Sequence, residues 1–205
     1  NGDKNYTSAR TVGNFTVDKI TTDLTVEATP EVVVGKNTTI TVTMTNVTSG
    51  KVLIEVNGFN YTVDINSNGI ATLVIGLPVG NYTTHAYYLG DSEHVASDNI
   101  SNEFKVIKMN ATVTIDVDDI TYGENATVTV TVPNGVEGNI TITLNDTTGT
   151  SITQTIVDGK AVFNIPGLAA GNYTVDVRYN GNEYYNINDT ESDKFEVRKA
   201  DPKLT

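Results

Sequence analysis

The sequence predicts an all-β chain folded as two tandem antiparallel β-sandwiches, and three observations carry that prediction. Threonine is the commonest residue, 33 of 205, beside 23 Asn and 17 Gly; branched carbons crowd a helical turn but suit a pleated, half-buried sheet. Apolar and polar residues alternate with a period of two, as in NTTITVTMT (37–45), where Ile40, Val42 and Met44 share one face and Thr39, Thr41 and Thr43 the other. One irregular stretch is also written twice, LPVGNYTTHAYYLGDSEH (77–94) and LAAGNYTVDVRYNGNEYY (168–185). That offset is the size of one sandwich domain rather than of a solenoid unit.

The elements follow in chain order. Residues 2–19, GDKNYTSARTVGNFTVDK, align with GDSEHVASDNISNEFKVIK and GNEYYNINDTESDKFEVRK, so residues 1–22 read as the closing strand of a preceding repeat. Cut off from its own sheet, such a strand is expected to fray or to add to a sheet edge. The first full repeat covers 23–109 and opens on VGKNTTITVTM (34–44), matched in the second by YGENATVTVTV (122–132). Strands are expected at KVLIEV (51–56), YTVDI (61–65), GIATLVI (69–75), NYTTHAYYL (81–89) and NEFKVIK (102–108). Asn-Gly and Asp-Gly steps in SNG (67–69) and VDGK (157–160) supply hairpin turns. At the corner of the duplicated stretch, Leu77 and Leu168 plug the core and Gly80 and Gly171 take the turn. Tyr82 and Tyr173 point inward, each hydroxyl bonding nearby backbone. The second repeat covers 110–199, after a linker of three or four residues around Met109 and Asn110, and 200–205 opens a following one. So short a linker leads us to expect an extended rod.

Composition narrows function. With 13 Lys+Arg against 25 Asp+Glu the net charge is -12, which opposes nucleic acid and anionic membranes. No cysteine is present, so disulfides and thiolate metal sites are excluded. No apolar run approaches the roughly 20 residues that span a bilayer, so no membrane insertion is expected of this segment, and the first ten residues lack the apolar stretch of a signal peptide.

The pattern Leu-x-x-Gly-Asn-Tyr-Thr, followed by Tyr88 or Tyr179, by GDSEH or GNEYY and by an apolar strand ending in Lys, resembles the bacterial immunoglobulin-like (Big-type) repeats of large surface proteins, especially adhesin-like proteins of methanogenic archaea. The resemblance spans essentially the whole chain. It implies immunoglobulin-like sandwiches in an extracellular, cell-surface stalk, with neighbouring repeats of the same chain and a protein or glycan of another cell as partners. His94 departs from the pattern, standing where the other copies have Tyr6 and Tyr185.

Candidate chemistry is sparse. Thirteen Asn-x-Ser/Thr sequons occur where chance placement gives about five. Alternation itself manufactures some, because Asn and Thr then flank an inward apolar residue, yet either origin puts Asn37, Asn81, Asn125, Asn139 and Asn172 on the wet face as glycosylation candidates. Asp116, Asp118, Asp119 and Glu124 form an acidic group with the ligand type calcium takes; their counterparts Ala28, Pro30, Glu31 and Lys36 make a solvated charge patch the preferred reading. His85 faces solvent and His94 packs, with no third ligand for zinc. Eight serines include none in a nucleophile elbow, so no catalysis and no cofactor is expected. Tyr87 and Tyr184 are the aromatics best placed to touch a ligand. Neither Lys51 nor Lys160 sits as a core lysine should for a lysine-asparagine crosslink, and none is predicted. The expected function is a non-catalytic repeat segment of a cell-surface adhesin-like protein, as stalk and adhesion surface. The alternatives are a carbohydrate-binding module of an extracellular enzyme and a surface-layer lattice component.

Overall fold

The structure, a computed structural model, describes residues 4–201. The expected opening of a following repeat therefore lies, beyond Asp201, outside the described residues. The described residues contain eighteen strands and no helix. The first repeat carries β1 (Asp23–Ala28), β2 (Glu31–Val33), β3 (Asn37–Thr45), β4 (Lys51–Val56), β5 (Phe59–Asp64), β6 (Ile70–Gly76), β7 (Gly80–Tyr82), β8 (Thr84–Tyr88), β9 (Ser97–Ile100) and β10 (Phe104–Ile107). The second carries β11 (Thr114–Val117), β12 (Ile120–Thr121), β13 (Ala126–Thr131), β14 (Asn139–Leu144), β15 (Ser151–Thr155), β16 (Lys160–Ile165), β17 (Gly171–Tyr179) and β18 (Asn188–Arg198).

The chain forms two compact units that do not meet at a single point of the sequence. One takes residues up to Pro30, Thr38–Ile75 and Tyr82–Phe104; the other takes Glu31–Asn37, Gly76–Asn81 and residues from Lys105 onward. The first holds a sheet of order β1-β3-β6 and one of order β5-β4-β8-β9. Its core is the alternating inward set Leu24 and Val26, Ile40, Val42 and Met44, Val52, Ile54 and Val56, with Ala86 and Tyr88, all buried. The second holds β11-β13-β16 facing β12-β18-β17-β14-β15, and a small sheet β2-β10-β7. One apolar cluster joins Val128, Val130 and Phe163 of the first of these sheets to Ile140, Ile142, Val175, Val177 and Phe195 of the second. That shared interior makes the unit a sandwich, with three strands packed on five.

Local chemistry explains the turns. Asn57 and Gly58 both have positive φ, 53° and 75°, closing the two-residue hairpin in which Val56 faces Phe59. This is a primed turn, whose twist matches the strands it joins, and the sequence reading passed over it. Asp158 and Gly159 repeat the geometry at 51° and 74°.

Three strand expectations need correction. The pairing is not wholly antiparallel, because β2 runs parallel to β10 and β12 parallel to β18. Pro30, which has no N–H to donate, lies between β1, paired with β3, and β2, paired with β10. NYTTHAYYL is not one strand but β7 and β8, interrupted at Thr83. There the buried Ser101 answers the backbone of Thr84, its Oγ accepting from Thr84 N at 2.9 Å and its N donating to Thr84 O at 2.8 Å. β9 was not foreseen, and the closing strand is the shorter Phe104–Ile107. Residues 7–19 form no strand, and Phe15 and Val17, which align with the buried Phe104 and Val106, are 89% and 83% exposed.

Candidate functional site

Two constructions stand out: one built twice, the other once. The duplicated stretch builds a socket. In the first copy the Asp91 carboxylate accepts from Glu93 N (2.8 Å), His94 N (2.7 Å), His94 Nδ1 (2.9 Å) and the Tyr88 hydroxyl (2.9 Å). These donors, the Glu93 amide foremost, hold its carboxyl well below the usual carboxylate range. Burial and the hydrogen bond to Asp91 push the Tyr88 phenol up to about 12. In the second copy Asn182 Oδ1 accepts from Tyr184 N and Tyr185 N, both at 2.8 Å. An amide thus serves the same turn as the carboxylate. Gly90 begins the first loop at φ +77°, where a Cβ would lie 2.9 Å from Ala96 N and His94 O, so only glycine fits.

Each loop receives the segment that leads into its sandwich. Lys19 Nζ donates to Asp91 O at 2.5 Å, Ile20 N to Glu93 O at 2.8 Å, and Val95 N to Ile20 O at 2.9 Å. Eighty-nine residues on, Lys108 Nζ donates to Asn182 O at 2.5 Å, Met109 N to Tyr184 O and Asn186 N to Met109 O, both at 2.8 Å. Asn99 Nδ2 bonds Leu24 O and Asn188 Nδ2 bonds Ala111 O, each at 2.9 Å. The corner recurs too. Tyr173 donates to Ala169 O at 3.0 Å and stacks on Phe195 at 5.3 Å between ring centroids; Tyr82 lies 5.7 Å from Phe104. Leu77 and Leu168 are buried as expected, but Gly80 and Gly171 do not take the turn: each opens a strand, β7 or β17, without a positive φ.

The second construction occupies the outer face of sheet β5-β4-β8-β9. Register sets two rows across it, Thr62, Leu53, Tyr87, Asp98 and Asn60, Glu55, His85, Ile100. Within them runs a chain of polar contacts. The Tyr87 hydroxyl lies 2.6 Å from His85 Nδ1 and 3.5 Å from Glu55 Oε2, and His85 Nε2 lies 2.7 Å from Asp98 Oδ2. The His85 and Tyr87 ring centroids lie 3.9 Å apart with their planes tilted by 31°. Partial burial, the charges of Glu55 and Asp98 and the hydrogen bond to Glu55 raise the Tyr87 phenol's pKa. Among the described residues neither carboxylate is paired with a lysine or an arginine.

On the corresponding face of the second unit, short hydroxyl and amide side chains bond one another. Thr141 Oγ1 meets Thr153 Oγ1 at 2.8 Å, and Thr155 Oγ1 donates to Asn139 Oδ1 at 3.0 Å. Asp176 and Arg178 stand where His85 and Tyr87 stand in the first.

The remaining expected residues are dispersed. Tyr184 is 49% exposed on its loop, while Tyr87 is half-buried in the face just described. His85, expected to face solvent, is bonded on both ring nitrogens. Asn37, Asn81, Asn125, Asn139 and Asn172 are exposed. The acidic group does not converge. Asp119 takes Arg198 Nη2 (2.5 Å) and Glu196 N (2.7 Å), Glu124 takes Thr121 N (2.7 Å), and no metal-holding cluster occurs among the described residues. Sequence reasoning missed Glu55 and Asp98, because a face assembled from three strands has no contiguous motif.

No protein-family model matches the chain, and no curated protein matches it. Among solved structures it is similar to the fibronectin(III)-like modules of Clostridium thermocellum CbhA, at 17% identity and TM-score 0.36 over 86% of this chain and 94% of that one. It is also similar to a 1.5-MDa bacterial ice-binding adhesin, at 15% identity and TM-score 0.39 over 89% and 66%. A third is the Yersinia pseudotuberculosis adhesin InvE, at 15% identity and TM-score 0.40 over 85% and 58%.

Proposed function

We propose that the chain is a non-catalytic repeat segment of a cell-surface adhesin-like protein, extracellular in location, giving length to a stalk and presenting faces to a protein or glycan of another cell. The observation that carries this reading is a module copied with its structural devices intact, the loop socket, the lysine that enters it and the tyrosine corner, while its outer faces changed chemistry. A spacer needs that combination, because length comes from repeating the scaffold and contact from varying the surface. Exposed Asn and Thr along the strands suit an exterior protein open to glycosylation. The test is an antibody raised against residues 23–199. It should label intact cells of the source organism, and protease added outside should release the epitope. Labelling only after lysis overturns the proposal.

A second reading, a carbohydrate-binding module, draws on the exposed ring of Tyr184. Glycan-array binding abolished by Tyr184→Ala would favour it.

A further inference from the structure

We propose that the outer face of sheet β5-β4-β8-β9 binds an arginine side chain of a partner polypeptide, with Glu55 and Asp98 as its acceptors and the adjoining His85 and Tyr87 rings as its platform. The inference deepens the adhesion reading and rests on it.

Proton accounting comes first. With His85 neutral and its proton on Nε2, that nitrogen donates to Asp98 and Nδ1 accepts from the Tyr87 hydroxyl. Tyr87 has one proton to divide between the imidazole at 2.6 Å and Glu55 at 3.5 Å, so Glu55 keeps only a long, weak hydrogen bond and open lone pairs. Asp98 has only the imidazole N–H to offset its charge and is 60% exposed. The face therefore ends on two carboxylates with open acceptor sites and, among the described residues, no lysine or arginine beside them. A guanidinium offers five N–H donors, no acceptor and a positive charge in one plane. That plane suits the adjoining rings, and its fork suits a carboxylate. A sugar fits less well, since each hydroxyl brings an acceptor that must also be satisfied, and the rows supply acceptors far more than donors.

The face also has room for a peptide. An open groove of about 500 Å3 adjoins the Tyr87 row; Leu53, Thr62 and Leu89 line it together with Asp91 and with Lys51, whose charge is paired with Asp64, and Leu89 and Ile100 are 78% and 57% exposed. An extended segment bearing an arginine over Tyr87 could lay an apolar neighbour there. The second unit has Thr143 in place of Glu55 and Arg178 in place of Tyr87, while Asp189 aligns with Asp98 in sequence, so the two faces differ in the platform and in one of the two carboxylates.

The experiment is an amide-resolved NMR titration of the whole 205-residue chain with an end-blocked tri-arginine peptide. Blocked tri-citrulline, equal in shape but uncharged, and neutral hexasaccharides serve as further probes. Saturable shifts on β4, β8 and β9 are expected with tri-arginine and not with tri-citrulline. Affinity should fall at least tenfold in the Glu55→Gln, Asp98→Asn double variant and stay within twofold in an Asp116→Asn, Asp118→Asn control that removes the same charge elsewhere. Leu53→Lys, which adds a tethered cation across from Tyr87, should also block binding, and it keeps the idea open to refutation if the double variant fails to fold. Shifts scattered over both units, equal binding by the double variant, or a response to a hexasaccharide in place of tri-arginine would each overturn the proposal. None of these outcomes depends on whether the chain is found at a cell surface.

Discussion

Thr84→Val should stabilise the first unit. Thr84 is fully buried on β8, and its Oγ1 has no hydrogen-bond partner among the described residues. Its backbone is spoken for, through Ser101, so substitution touches only the hydroxyl. A buried polar group without a partner costs about 1–3 kcal/mol, and replacing it with an apolar group of the same shape removes that cost without opening a cavity. The second repeat has already made the exchange, with Val175 at the equivalent place, fully buried. We therefore expect a gain of about 1–2 kcal/mol. For a domain of this size that raises Tm by roughly 4–16 °C. The reverse change, Val175→Thr, should lower the second unit's Tm by at least as much. Differential scanning calorimetry resolves the two transitions if the units melt apart, and the opposite shifts of the two variants assign them. A fall in stability on Thr84→Val would mean that the hydroxyl is satisfied, by water or otherwise, and the reasoning would fail.

Other expectations follow from the same geometry. Tyr179→Phe removes the hydroxyl that donates to Glu137 O at 2.7 Å, but Asn182 Nδ2 still serves that carbonyl at 2.9 Å. The cost should be near the low end for a buried hydrogen bond, about 1 kcal/mol by urea unfolding; a loss above about 3 kcal/mol would show that the two bonds are not independent. Asp146 accepts first from the Thr150 hydroxyl and then from the Thr150 and Thr148 amides and the Thr148 hydroxyl, which lower its pKa to about 2. Because the folded value is depressed, its contribution is present above the unfolded pKa of about 4 and disappears as pH falls through about 2. Carboxyl 13C shifts should give that midpoint, and one near 4 would contradict the loop's bonding. Gly90→Ala forces a Cβ to within 2.9 Å of backbone at φ +77°, whereas at Gly35, φ +85°, nothing lies within 4 Å. Backbone strain alone costs about 1–2 kcal/mol, so Gly35→Ala should lose that much and Gly90→Ala distinctly more; equal losses by thermal melting would deny the close approach.

Alternation made the sandwich interior readable in advance, because a two-residue period has only one way to hide Ile40, Val42 and Met44 from water. The corner was readable for a different reason: Leu77, Gly80 and Tyr82 lie within six residues and recur intact. Sheet membership was less accessible. β2 and β12 are three and two residues long, too short to show a period, and they exist because β10 and β18 offer them an edge. The break at Thr83 depends on Ser101, eighteen residues away in sequence, and no local signal announces it. Tyr87 was singled out as an exposed ring. Its surroundings, Glu55 from β4 and Asp98 from β9, became visible only once register placed three strands side by side.

The division between legible and hidden residues follows how selection acts on a repeat. Whatever folds the module is constrained in each copy, so it shows up as self-similarity within one sequence; the lysine, the socket and the corner are of this kind. Whatever distinguishes one copy from another is erased by that comparison. It surfaces as a mismatch: His85 and Tyr87 against Asp176 and Arg178, Glu55 against Thr143. Mismatches on inward positions, such as Thr84 against Val175, carry an energetic cost the fold must absorb. Those on outward positions carry almost none, since surface substitutions usually alter stability by less than about 0.5 kcal/mol. Three outward mismatches, Glu55, His85 and Tyr87, that nonetheless join Asp98 in one bonded network across three strands have no evident folding reason to exist. That is why a partner is expected on this face rather than on sequons such as Asn37 with Asn125 and Asn81 with Asn172, which recur in both copies.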